Sequence, residues 1–494
     1  MSALNERNIK KRLGLSLLVG LSLACKLFTP VPTPTETATI PALTATQPPS
    51  QTPPSPSITP TAPLASDGPW LLFQPPSADH PGGSDALLAN LDGSGRTRLE
   101  LPTLYEELIV SPNGAYAAVR VTDPRHSLVT RTLNASLWII TLPDGNVVRR
   151  INLLGAEARQ WLAENPPGEF QGLSSTILGA PYLWSPDGRY LAFSGALDGE
   201  STDIYIYDLT EDQITQLTDG SKQAVIHSWS PDGRWVIHEA CLFYQSKDRV
   251  IYSTWAASLD GDVNRLVYGP FNQHPIIGWL STEKLLTYTR RSIGSSEELR
   301  TVDLLTGRTD FIFNQPFFEA AFDPQNATVL INRQPVDFAS ADNLPGVYTF
   351  DLENETVELL LPGRFEGLSW ETSLGNFLAV EDGITLVLFD HRGQRRCSLP
   401  FPSGGRVGFS PDRRWMIISG LDSSRVYTSG CTEVAGFDQP GGVIWLPDSS
   451  GVYLYHTGQE GTSSITRYLL DNDWQAERIT EEIPGIENPL MVLP

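Results

Sequence analysis

The chain repeats itself. "WSPDGRYLAF" at residues 184–193 returns as "WSPDGRWVIH" at 229–238. Looser relatives are "IVSPNGAYAAV" from Ile109, "GWLSTEKLLTY" from Gly278, "AFDPQNATVLI" from Ala321, "SWETSLGNFLAV" from Ser369, "GFSPDRRWMII" from Gly408 and "IWLPDSSGVYLY" from Ile444. Each joins two short apolar runs through a polar turn. In the best copies Pro presets φ, Ser and Asp bond the local backbone, and Gly takes the left-handed slot that closes a hairpin. Where Gly is missing, Asn326 is the expected substitute, and Arg413 would be strained in that slot.

Two further strand-like runs follow each hairpin. The clearest unit continues from "LAF" through "DIYIYDL" at 203–209 and the turn "TEDQ" to "ITQLT" at 214–218. Alternating apolar and polar residues joined by tight polar turns mark half-buried antiparallel strands. Four such strands, recurring along the chain, make the blade of a β-propeller. One blade cannot cover its own apolar faces, so Trp184, Trp229, Trp279, Phe322, Trp370, Phe409 and Trp445 are expected to pack between neighbours. The fold class is therefore all-β, a single closed propeller of four-stranded antiparallel blades. A tally of sheets gives nine, but propellers usually have four to eight blades. Eight are expected, within a range of seven to nine, with the degenerate unit around 405–440 as an irregular insertion. "WLLFQ" at 70–74, "ALLANLD" at 86–92 and "RTRLEL" at 96–101 supply three strands of a first blade, and "NPLMVLP" at 488–494 is expected to add its innermost one. That closure would remove the open sheet edges.

These "WSPDG" turns and "DIYIYDL"-like strands resemble the TolB-type propeller, a periplasmic family with WD40-like repeats, over about residues 69–494. The resemblance implies the fold and speaks weakly to activity. TolB carries a folded α/β domain ahead of its propeller, where this chain has a different segment, so the family's role in envelope integrity does not carry over.

That segment, Thr29–Gly68, is dominated by Thr and Pro, and such a composition cannot bury enough surface to offset its ordering entropy. It reads as a disordered tether, residues 26–68. Ahead of it, Lys10, Lys11 and Arg12 precede a short apolar run ending in "LSLAC". About a dozen residues span roughly 18 Å as a helix, short of the roughly 30 Å of a bilayer core. Residues 1–25 resemble a bacterial lipoprotein signal peptide, with Cys25 as the lipid-modified residue, including palmitate. Ser22 stands where that family usually has Leu, and an ordinary secretory signal is the alternative. The resemblance implies an exported protein anchored by lipid at the outer face of the cell membrane, in the periplasm or at the cell surface. The formal charge of −22 argues against nucleic acid as a partner.

In a propeller, first-to-second and third-to-fourth strand turns lie on one face, and the remaining connections lie on the other. Here the former are short and the latter long: Pro75–Asp85, Thr122–Ser136, Phe243–Arg249, Gln334–Gly346 and the insertion Gly155–Ala180. Elaboration beyond what a turn requires concentrates function on one face. Within the insertion "AEARQWLAEN" has helical spacing, with Ala156, Gln160 and Ala163 on one side and Trp161 on another. Trp161 and Phe170 are candidate contact residues. Such a helix could cap the channel mouth or simply pack on the rim.

Glu107, His227, His274, Glu319, Glu366 and Arg406 stand at or before innermost strands on that face and could form a polar ring. Two histidines with a carboxylate would suit a divalent metal; solvation alone also accounts for polar strand starts. No other cofactor is expected. No nucleophile elbow, zinc-helix motif, dinucleotide loop or phosphate loop is present, and "STEK" at 281–284 sits in a turn rather than on a helix. No catalytic residues are assigned. Besides Cys25, the cysteines are Cys241, Cys397 and Cys431, allowing one disulfide among three pairings; Cys397–Cys431, in consecutive blades, is preferred. The expected activity is binding of an envelope protein, peptide or glycan by a monomeric propeller. The alternatives are a metal-dependent lyase or hydrolase at the channel mouth, and a passive envelope component.

Overall fold

The computed structural model describes residues 63–493, except 67, 74–85, 100, 102–104, 124–125, 165–170, 221–222, 244–249, 270–275, 290–297, 314–316, 334–343, 372–374, 439–441, 458–461, 471–473, 475, 479–482 and 485–490. Cys25, Phe170 and His274 lie outside the described residues, as do most of the Pro75–Asp85, Phe243–Arg249 and Gln334–Gly346 loops.

The repeated turn works as its chemistry requires. The Ser185 hydroxyl donates to Asp187 (2.5 Å) and accepts from the Tyr190 amide (2.9 Å), while Asp187 also accepts from the Arg189 amide (3.1 Å). Gly188 closes the turn at φ 72°. Ser230 and Asp232 repeat this arrangement around Trp235, and Ser410 and Asp412 repeat it around Trp415. These serines are buried, so each turn is a sealed polar knot at the end of an apolar strand pair.

Among the described residues, strands built on these turns form nine antiparallel sheets, eight of four strands and one of five. We number them as blades from the N-terminus. Blades two to nine each run in chain order, beginning at Tyr105–Val110, Leu183–Trp184, Gln223–Trp229, Ile276–Ser281, Glu319–Asp323, Phe365–Glu371, Arg406–Phe409 and Gly442–Trp445. The blade number is nine, within the expected seven to nine but one above the eight preferred. The region around 405–440 is no insertion but a regular blade eight, with strands Arg406–Phe409, Trp415–Ser419, Ser424–Thr428 and Glu433–Phe437. Its motif is disguised because Arg413 occupies the left-handed slot at φ 61°.

Blade one is completed as expected. Met491–Leu493 pairs antiparallel with Trp70–Leu72, Trp70 opposite Leu493, so strands from the two ends of the sequence share a sheet. The apolar interior is divided accordingly into nine clusters, each bridging two consecutive blades. Trp70, Leu88, Leu108 and Val119 join blades one and two; Leu71, Ala89, Tyr453 and Ile465 join blades nine and one. A ring whose every seam, the last included, holds its own buried cluster is closed. The Tyr453 hydroxyl and an Arg467 guanidinium N–H both donate to the Leu91 carbonyl across that final seam (2.7 and 3.1 Å).

The seven aromatics lie at seams. Trp184 and Trp229 also donate their indole N–H to the inner strand of the preceding blade, at Ile109 and Leu183 (3.3 and 3.1 Å). The disulfide joins Cys397, on the outer strand of blade seven, to Cys431 in the last turn of blade eight, with Cα atoms 6.1 Å apart.

Candidate functional site

Among the described residues, three helices decorate one face. α1 (Leu128–Asn134) lies between the second and third strands of blade two, and α2 (Ala156–Glu164) and α3 (Gln171–Gly179) lie between blades two and three. Only α2 was legible in the sequence. Its Ala156, Gln160 and Ala163 face is exposed, while Ala158 and Leu162 bury into the seam of blades two and three; Trp161 packs half-buried against the same cluster. α1 begins at Ser127, whose hydroxyl accepts from the Thr130 amide. α3 buries Leu173 and Ile177, and its last carbonyls, Ile177 and Leu178, accept from the buried guanidinium of Arg120. A cation at a helix C-terminus is favoured by the helix dipole as well. α1 packs against both α2 and α3, and α3 touches the inner strand of blade four. The insertion is thus rim structure that extends toward the channel.

The chain enters the propeller from the opposite face. Asn90, in the short turn after Leu87–Ala89, accepts from the Ala65 amide (2.8 Å) and donates to the Pro63 carbonyl (3.0 Å). The Trp70 indole donates to the Ala65 carbonyl (2.9 Å).

The six polar candidates at the inner strands divide. Glu319 and Glu366 line one cleft of about 760 Å³, which runs from blade six across the inner strand of blade seven to blade eight. The strand Phe365–Glu371 carries a β-bulge between Glu366 and Ser369, with Gly367 at φ 67°. Glu319, half-buried, holds this bulge: it accepts from the Gly367 and Leu368 amides (3.2 and 3.1 Å) and from the side-chain amide of Asn332 (3.3 Å). Glu366 is exposed. The remaining wall is apolar and aromatic, including Phe318, Trp370, Phe401 and Phe409. An isolated Gly within an apolar strand pattern was the one sequence signal for the bulge; the aromatics come from three blades, and no local pattern links them.

Arg406 is exposed at the start of blade eight. Val407 and Phe409 face the cleft, so strand alternation turns Arg406 to the other side of the sheet. His227 is exposed on the inner strand of blade four, where the register skips it between Ile226 and Ser228. The backbone of Glu107 pairs with Arg120; its side chain, like His274, is outside what is described. Among the described residues, no group of three or more His, Cys, Asp or Glu side chains is placed to hold a metal ion. Nor is any helix among them long and apolar enough to cross a membrane.

Two buried titratable groups stand apart from the cleft. Burial of Asp203 raises its pKa to about 7; the Thr218 hydroxyl bond opposes the shift, and the charges of Asp198 and Asp219 reinforce it. Burial lowers that of His238 to about 4, against a bond to Asn264.

No protein-family model matches the chain, and no curated protein does. Solved structures do. A eukaryotic initiation factor superposes with a TM-score of 0.54 at 13% identity, covering 87% of this chain and 99% of that one. A protein assigned as TolB from Agrobacterium tumefaciens gives 0.27 at 17% identity, over 52% and 82% of the two chains. Dipeptidyl peptidase 4 from Porphyromonas gingivalis gives 0.45 at 12%, over 77% and 59%. The first likeness agrees with the propeller fold, and at these identities none speaks to activity.

Proposed function

We propose that this chain is a binding propeller of the bacterial cell envelope, carried on a lipid-modified Cys25, that engages a protein, peptide or glycan through its helix-bearing face. One observation carries the reading: the three helices among the described residues belong to the long-loop face, while Pro63–Ala65 bond a turn on the short-turn face. Short turns on one side and long insertions on the other fit a surface kept for contact.

The test is photocrosslinking on intact cells from Gln160, exposed on α2, compared with Leu305, exposed in a short turn of blade five. A discrete adduct from Gln160 and none from Leu305 is expected. Adducts from Leu305 alone would reverse the face, and none from either site would leave a passive envelope component. Metal content of the purified protein, with and without His227→Ala and His274→Ala together, tests the enzyme alternative: stoichiometric metal lost in the double variant would favour it.

A further inference from the structure

The cleft between blades six, seven and eight selects among the partner classes, and this inference rests on the binding reading above. Its chemistry is divided. Its lining includes Glu319 and Glu366, and neither forms an ion pair among the described residues; the third carboxylate, Glu371, is already engaged by Arg413 (3.2 Å). The same lining is otherwise largely hydrocarbon: Leu378, Val380, Leu386 and Val407, with the rings of Phe401 and Phe409. Phe318 at the lip is 40% exposed, high for a phenylalanine beside a recess. The nearest basic side chain in the sequence of blade eight, Arg406, alternates to the other side of its strand, so it does not fill the acidic end. Glu319 cannot turn away, because it holds the bulge amides of blade seven. Two carboxylates beside an apolar recess, Glu319 held by the bulge amides and Glu366 exposed, in a molecule of net charge −22, attract a cation and reward an apolar neighbour to it. A recess of about 760 Å³ is within the range of small-ligand sites.

We propose that this cleft receives a peptide segment presenting an Arg or Lys next to an apolar residue, the cation against Glu366 and Glu319 and the apolar side chain against Phe401 and Phe409. A neutral glycan would leave both carboxylates without a counter-charge. A charge-assisted contact at a partly desolvated site is worth about a factor of ten in affinity.

The experiment titrates the purified full-length protein with three capped dipeptides by calorimetry: acetyl-Phe-Arg-amide, its neutral isostere acetyl-Phe-citrulline-amide, and acetyl-Phe-Glu-amide. The arginine peptide is expected to bind about tenfold more tightly than the citrulline peptide. The glutamate peptide should not bind, and added salt should weaken only the arginine peptide. Glu366→Gln, on an exposed side chain, should erase most of the Arg-over-citrulline ratio while leaving the thermal midpoint unchanged. Equal binding of arginine and citrulline peptides, or a ratio untouched by Glu366→Gln, overturns the proposal. So does phenethylammonium binding as tightly as the arginine peptide, which would make this a site for free amines. If selectivity is absent but Gln160 still crosslinks a partner, the peptide assignment falls and the binding face stands.

Discussion

Single residues decide how well each copy of the turn can be recognised. In blade six the left-handed slot belongs to Ala327, at φ 48°, and not to Asn326 as the sequence suggests. Asn326 instead donates its side-chain amide to Asp323 (2.6 Å), moving the strained position one residue on. An L-residue with a Cβ costs about 1 kcal/mol there, so Ala327→Gly should raise stability by about that much in urea denaturation. Arg413 bears the same strain, and its guanidinium contacts Glu371 and lies 5.8 Å from the Phe409 ring centre. The seam tryptophans differ in one hydrogen bond. Trp229 donates to Leu183, whereas the buried indole N–H of Trp370 has no acceptor among the described residues. Trp229→Phe should therefore cost about 1 kcal/mol more than Trp370→Phe; equal losses would mean that the indole bond across the seam contributes nothing.

At the level of elements, the hairpin turn was readable because its chemistry is local: Ser, Asp and Gly meet within five residues. The buried hydroxyl of Ser230 satisfies the Trp235 amide. Ser230→Ala leaves that donor orphaned and should destabilise by roughly 1–3 kcal/mol, measurable by thermal or urea unfolding. Helices α1 and α3 were illegible for the converse reason. "LVTRTLN" and "QGLSSTILG" are rich in β-branched residues, Ser and Gly, which favour helix weakly. What stabilises α3 is distant, in the Arg120 guanidinium and the pocket that takes Leu173 and Ile177, and α1 in turn packs on α2 and α3. The candidate site divides along the same line. Glu319 and Glu366 could be found one strand at a time, but that they share a cleft depends on which blades become neighbours, and Arg406 and His227 are separated from them by strand alternation and by a different blade.

The whole molecule adds what no segment contains: closure and a shared electrostatic field. Asp203 and His238 give opposite pH slopes. Asp203 titrates near 7 when folded against 3.8 unfolded, so between those values the folded state holds more protons and stability falls as pH rises. His238 titrates near 4 when folded against 6.5 unfolded, so over that window stability rises with pH. The wild-type profile between pH 4 and 6.5 should therefore be flatter than that of either Asp203→Asn or His238→Gln. Asp203→Asn should tilt it upward with pH and His238→Gln downward, in thermal midpoints measured across the range. The blade number was the least legible quantity, because a rule drawn from usual propellers outweighed a correct tally of the sheets. The seams settle it: nine sheets need nine apolar clusters only if the last meets the first. Closure is the central claim, and its most direct test is a cysteine pair at Leu71 and Val492, which face each other across blade one. The account predicts that Leu71→Cys with Val492→Cys forms a disulfide on mild oxidation, seen as a mobility shift in non-reducing gels. A pair that stays reduced in folded protein would contradict the ring.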